Sequence, residues 1–235
     1  MHSTENWWAA EIDWSTPAGE LLKKFLAALP KHRLFSITVF GSAPLQLTVD
    51  RYLLSGDVDI FSDDDEDLSA LVEAAGLDKS KGGFYVEPGF ELSFRTSARW
   101  RRRARTVQIE NVTLTLPHPL DILIGKLDRL DPKDLQAFKQ VIEISGHPTA
   151  DELKNELQNA VDLFRPAFDE DSPNRYPENT RRLWRELFGT EIDIRREIIE
   201  PAITRRRQGY GETPLDYKGI LGQSQAMPEN KNDAP

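Results

Sequence analysis

The chain of 235 residues contains no cysteine, and this absence excludes disulfide bonds and thiolate metal sites. No apolar run approaches the roughly 20 residues that a membrane-spanning helix needs. The first residues, MHSTENWWAAEIDW, show no basic segment followed by a continuous apolar core, so they do not resemble a secretory signal. We therefore expect a cytoplasmic protein with no membrane partner.

An excess of positive charge is also absent, because the formal net charge is −9. This balance argues against attraction of nucleic acid by the whole surface, although a local basic patch remains compatible with it. With 39% hydrophobic and 29% charged residues, the composition is that of an ordinary globular protein.

Hydrophobic periodicity predicts an α+β fold, in which a small mixed β-sheet is flanked by helices. Residues 33–40 form a predicted buried strand ending at Gly41, and GDVDIF forms a second strand. Two hairpins are predicted, one turning at Pro88-Gly89 and one with its tip at Glu110-Asn111. From Pro119 onward the period becomes helical. We expect an α/β core at 1–117, a helical region at 118–208 and a flexible tail at 209–235.

Asp57 and Asp59 lie one residue apart in the second predicted strand, on the face opposite Val58 and Ile60. Their backbones are about 6.6 Å apart, so the two carboxylates can converge on one cation. Without a cation they repel each other, which raises their pKa values. Oxygen ligands favour Mg²⁺ or Mn²⁺. A solvated strand face is the alternative interpretation.

Gly41 and Ser42 follow the first strand at a predicted strand-to-helix corner. Backbone N–H groups and a hydroxyl at such a corner favour an anion, and phosphate is the expected ligand. A strand whose acids bind metal, next to a corner that binds phosphate, is the arrangement that nucleotidyl transfer requires.

The stretch FGSAPLQLTVDRYLLSGDVDIF resembles the signature of the nucleotidyltransferase superfamily, which shares the polymerase-beta-like fold. That signature is Gly-Ser, a spacer and Asp-x-Asp, and the resemblance covers roughly residues 33–135. It implies that Gly41 and Ser42 hold the triphosphate of an NTP and that Asp57 and Asp59 hold two metal ions.

A second stretch, HPLDILIGKLDRLDPKDLQAF, resembles the downstream block of AbiEii-type toxin and minimal nucleotidyltransferases. This resemblance implies that Lys126 contacts the nucleotide phosphates and that Asp134 is a further acid of the active site. The residues alone also allow a solvated lysine and an aspartate that stabilises the first turn of a helix.

Polymerase-beta-like sites usually have a third carboxylate on a neighbouring strand, where it can serve as a metal ligand or accept the proton of the attacking hydroxyl. Glu91 is the predicted residue, because it alternates with Phe90 and Leu92 as the aspartates alternate with Val58 and Ile60. Glu110 is the weaker candidate, since it lies at a predicted hairpin tip. Aspartate is usual at this position, so Glu91 departs from the pattern.

The segment RTSARWRRRAR, residues 95–105, contains six arginines and a tryptophan. Arginines next to an aromatic ring can bind a phosphate backbone and stack a base. We therefore predict that Arg101, Arg102 and Arg103 bind an RNA acceptor such as a tRNA. The alternative is that this loop binds the chain's own acidic tail or the acidic run DDDED at 63–67.

The sequence thus predicts a metal-dependent nucleotidyltransferase that moves an NMP from an NTP to a hydroxyl acceptor. The resemblance adds an expected role as a toxin, with a protein antitoxin as partner. Two alternatives remain: a binding or regulatory module that has the fold without catalysis, and an enzyme acting on a small molecule such as an aminoglycoside.

Overall fold

The computed structural model describes residues 8, 11–53, 55–64, 66–165 and 173–209, and it has an α+β fold. Its five strands are β1 (Phe35–Phe40), β2 (Asp57–Ser62), β3 (Tyr85–Pro88), β4 (Arg105–Ile109) and β5 (Val112–Leu116). Among these residues, no helix is long and apolar enough to cross a membrane.

Eight α-helices lie in the described part of the chain, most of them after the sheet. They are α1 (Pro17–Ala28), α2 (Ala43–Thr48), α3 (Ser69–Ala74), α4 (Pro119–Lys126), α5 (Pro132–Ser145), α6 (Ala150–Asn159), α7 (Tyr176–Phe188) and α8 (Glu200–Gly209). A π-helical turn at Ile194–Ile199 leads into α8. The predicted tail at 209–235 lies outside the described residues, except for Gly209 at the end of α8.

The strands form one mixed sheet in the order β3-β2-β1-β5-β4. The central strand β1 pairs with β2 in antiparallel and with β5 in parallel orientation. At the edge of the sheet β2 and β3 are parallel. The hairpin predicted at Glu110-Asn111 is confirmed, because β4 and β5 are antiparallel and Ile109 faces Val112 across the turn.

The sheet buries both faces, as expected where alternate side chains of a strand point to opposite sides. Ile37 and Val58 belong to a hydrophobic cluster with Phe25 of α1. On the other face, Phe61 joins a cluster that includes Phe138 of α5 and other residues of the helical half. This second cluster packs side chains from both sides of the predicted boundary near residue 117.

The prediction of a hairpin at Pro88-Gly89 is wrong, because the chain leaves the sheet after β3. Residues Glu91–Ser93 form a single 3₁₀ turn instead of a strand. Phe90 and Leu92, which supplied the strand-like alternation, are 70% and 89% exposed. Alternation therefore occurs here without a sheet neighbour that would bury the apolar side chains.

Arg103, predicted to bind an acceptor, connects the segment that leads into β4 with helices α4 and α6. Its guanidinium donates to Asp121 of α4 at 2.6 Å and also to Glu156 of α6. Asp121 is fully buried. Burial raises the pKa of Asp121 to about 6, and the charge of Arg103 opposes this shift. The ion pairs fix α4, which carries Lys126, against the sheet.

Replacement of Arg103 by alanine is expected to lower the free energy of unfolding by about 3 to 5 kcal/mol, because it leaves two buried carboxylates without their cation. Urea unfolding measures this loss. The neighbouring Arg102 is exposed, so Arg102→Ala is the matched control and should leave the stability unchanged. Equal stability of the two variants would contradict this role of Arg103.

Candidate functional site

Three carboxylates converge on the face of the sheet that carries the predicted acids. Asp57 and Asp59 lie on β2, and the parallel register places Glu87 of β3 beside Asp59. Each residue offers one carboxylate oxygen, and these oxygens lie within 4.8 Å of one another. The group, Asp57, Asp59 and Glu87, can hold a divalent cation and is called the acidic triad below.

The third acid of this group is therefore Glu87 and not Glu91. Glu91 lies in the 3₁₀ turn, where its carboxylate accepts a hydrogen bond from Arg101 at 3.0 Å. The sequence contained a signal for Glu87, since GFYVE is a predicted strand in which Tyr85 and Glu87 share one face. The parallel pairing of β3 with β2 was the missing information.

Gly41 adjoins the acidic triad because it has no side chain. Its φ of +66° lies in the left-handed region that favours glycine, and a Cβ there would lie 1.8 Å from Oδ2 of Asp59. The carboxylate of Asp59 thus occupies the space beside Gly41. The predicted corner and the predicted acidic strand meet at this contact.

The electrostatic environment of Asp59 opposes its ionisation. Burial, followed by repulsion from Asp57 and Glu87, raises the pKa of Asp59 to about 7 from its ordinary value of 3.8. Lys126 and Lys133 act in the opposite direction. The lysines therefore offset only part of the effect of burial and repulsion on the pKa of Asp59.

Tyr85 lies on β3 opposite Asp57, and its hydroxyl contacts two acids of the triad. The hydroxyl oxygen is 3.3 Å from Oδ2 of Asp57 and 3.2 Å from Oε2 of Glu87. Partial burial and the negative charges of these acids raise the pKa of Tyr85 to about 12. The hydroxyl therefore keeps its proton near neutral pH and acts as a donor.

Lys126 ends helix α4 and reaches the residue that follows Gly41. Its ammonium donates to Oγ of Ser42 at 2.7 Å and to Oδ1 of Asp134 at 3.3 Å. Burial lowers the pKa of Lys126, and the ion pair with Asp134 opposes this shift. Ser42 and Lys126 are 84 residues apart in the chain, so the fold brings these two predicted site residues together.

Asp134 is fully buried in the first turn of α5 and holds several donors in place. It accepts a hydrogen bond from the backbone N–H of Asp131 at 3.1 Å and one from Arg129 at 3.1 Å. Burial disfavours its charge, but the contacts of Arg129 and Lys126 hold the pKa of Asp134 below its usual value. Asp134 thus positions Lys126 and also completes the capping box of its helix.

A cavity of about 240 Å³ opens beside Asp59 and Lys126. Its wall includes Gly41 and Asp59 on one side of the site and Lys126 and Arg129 from the helical half. Negative and positive groups therefore line the same small space.

Arg101, the second predicted acceptor residue, is also bound within the chain. It donates to Asp63 at 2.9 Å and to Glu91 at 3.0 Å, and its guanidinium lies 4.5 Å from the ring centroid of Trp100. These contacts match the alternative in which the arginine loop binds the run at 63–67. Arg102 is exposed.

Comparisons with models of protein families, with curated proteins and with solved structures gave no match for this chain.

The contribution of Asp59 to the stability of the metal-free chain is expected to fall as the pH rises from about 4 to about 7. In this window folded Asp59 keeps a proton that the unfolded chain has released, so rising pH favours unfolding. Asp59→Asn has no such proton and should lose less stability over the window. Urea unfolding of both proteins at several pH values, in buffer with a chelator, measures the difference, and equal slopes would contradict it.

Proposed function

We propose that this chain is a metal-dependent nucleotidyltransferase that moves an NMP from an NTP to a hydroxyl acceptor. The acceptor oxygen would form a bond to the α-phosphorus of the NTP as the bond from that phosphorus to the β-phosphate breaks, and pyrophosphate would leave. The observation that supports this function best is the contact of Asp59 with Gly41. Through it the acidic triad adjoins the corner where Lys126 reaches Ser42. Asp59 of the triad and the ammonium-bearing Lys126 thus line one cavity.

The acidic triad is chemically suited to a hard cation, because all three donors are carboxylate oxygens. Asp57, Asp59 and Glu87 would hold Mg²⁺ or Mn²⁺. The raised pKa of Asp59 supports this, since it reflects burial first and then repulsion from Asp57 and Glu87, and a bound cation would oppose both effects. When bound, the metal would neutralise phosphate charge and lower the pKa of a coordinated hydroxyl.

The chain's own residues would perform the remaining tasks. Lys126 would exchange its bond to Ser42 for a phosphate oxygen of the NTP, while Asp134 keeps the ammonium pointed at the cavity. The hydroxyl of Ser42 would then be free to donate to the same polyphosphate. Glu87, the exposed acid of the triad, would accept the proton from the attacking hydroxyl, which is one of the roles predicted for Glu91.

Replacement of Asp57 by asparagine is expected to reduce transfer of label from α-labelled NTP at least 100-fold, because the triad loses one of its anionic donors. The fold should remain, as checked by circular dichroism. Glu110→Gln, a change of an acid outside the triad, is the control and should keep full activity. Transfer at the wild-type rate by Asp57→Asn would rule out this mechanism.

The growth of cells after induced expression of wild type or of Asp57→Asn tests the proposed role as a toxin. Wild type should arrest growth and Asp57→Asn should not. A binding module without catalysis would show neither dependence on Asp57 nor binding of Mn²⁺ and NTP in calorimetry.

RNA has less support as the acceptor than a small molecule has, because Arg101 and Arg103 form ion pairs within the chain. Arg102 is the exposed arginine of this set. These internal pairs favour the alternative acceptor, a small hydroxylated molecule, which needs no basic loop. Transfer to RNA is expected to depend on Arg102, whereas transfer to a small molecule is not.

If RNA is the acceptor, labelling of total cellular RNA should fall several-fold in Arg102→Ala and should decrease steeply with added salt, because phosphate contacts release counterions. Arg195→Ala is the control, since Arg195 is exposed in the helical region and pairs with Glu200. If Arg102→Ala labels RNA as well as wild type does, Arg102 is not part of an RNA-binding surface. Label found only on added aminoglycoside would show that the acceptor is a small molecule.

A further inference from the structure

The three acids of the triad do not have equal support from the surrounding fold. Asp59 is partly buried, and its carboxylate packs against Gly41. Asp57 is partly buried as well, and Glu87 is exposed on the edge strand β3. A glutamate side chain on an exposed edge has several accessible rotamers, so holding it in place costs conformational entropy.

Tyr85 is the residue whose side chain contacts both Asp57 and Glu87. The register of β2 and β3 places Tyr85 opposite Asp57 and Glu87 opposite Asp59, so the four side chains occupy neighbouring positions on one face. The Tyr85 hydroxyl lies between Asp57 and Glu87, at 3.3 Å and 3.2 Å. The Tyr85 ring is itself flanked by the ammonium of Lys79, 5.5 Å from its centroid.

We propose that Tyr85 is a positioning residue that fixes the carboxylates of Asp57 and Glu87 in the arrangement that binds a divalent cation. A phenol has one proton and donates to one carboxylate at a time. Each carboxylate has about four acceptor positions, so it can accept this hydrogen bond and still bind a cation. Partners of this kind orient the ligands of a metal and raise its affinity.

This inference rests on the proposed function only in taking the triad as a cation site. Its test therefore measures cation binding without nucleotide or acceptor. Mn²⁺ is the probe, titrated into the full-length protein by calorimetry, with free Mn²⁺ followed by electron paramagnetic resonance. Tyr85→Phe removes only the hydroxyl and should weaken Mn²⁺ binding about 10-fold, at the lower end of the range for residues that orient ligands.

Tyr52→Phe is the matched control, because Tyr52 is an exposed tyrosine in the loop before β2. It should bind Mn²⁺ as wild type does. Asp57→Asn provides the opposite reference and should lose most of the binding. Thermal unfolding of each variant without metal shows whether a change in affinity reflects the loss of folded protein.

A double-mutant cycle distinguishes positioning from a general structural effect. If Tyr85 acts by holding Glu87 and Asp57, its removal should cost less when Glu87 is already glutamine, so Tyr85→Phe should weaken binding less in the Glu87→Gln background. Unchanged Mn²⁺ affinity in Tyr85→Phe, together with a large loss in Asp57→Asn, would overturn the role of Tyr85 while leaving the cation site. Equal binding by wild type and Asp57→Asn would remove the cation site and with it both proposals.

Discussion

Mutual repulsion among the carboxylates of Asp57, Asp59 and Glu87 is the constraint on which the rest of the site depends. The parallel pairing of β2 and β3 brings these acids together, and the burial of Asp59 strengthens their repulsion. The adjoining residues reduce its cost: Gly41 leaves room for the carboxylate of Asp59, and Lys126 supplies positive charge. A cluster kept in spite of repulsion is what a cation site requires.

The chain uses most of its nearby arginines to position acids and turns. Arg103 neutralises buried Asp121, Arg101 fixes the turn that contains Glu91, and Arg129 holds Asp134. Each guanidinium can donate to two carboxylates at once, which suits it to such connections. A dense run of arginines in an acidic protein is therefore weak evidence for nucleic-acid binding until its internal partners are known.

Sequence periodicity predicted what depends on local pattern. It placed Asp57 and Asp59 on one face of a strand, and it gave the hairpin at Glu110-Asn111, because alternation and turn residues are read over a few positions. It was wrong at residues 90–96 and chose Glu91 in place of Glu87. The pairing of β3 with β2 joins segments separated by a helix, and such a register is set by tertiary packing that no local pattern records.

The contact between Ser42 and Lys126 is another tertiary contact that local sequence pattern does not predict. It also joins the corner after β1 to helix α4, the two elements proposed to bind phosphate. Only a family resemblance, and no local pattern, associated these two residues. Lys126 lines the same cavity as Asp59, so an anionic polyphosphate approaching Lys126 also approaches a carboxylate. Coulomb repulsion opposes that approach unless positive charge lies among the acids. Binding of a cation to the triad and binding of a polyphosphate at Lys126 should therefore favour each other, since each ligand reduces the charge that hinders the other.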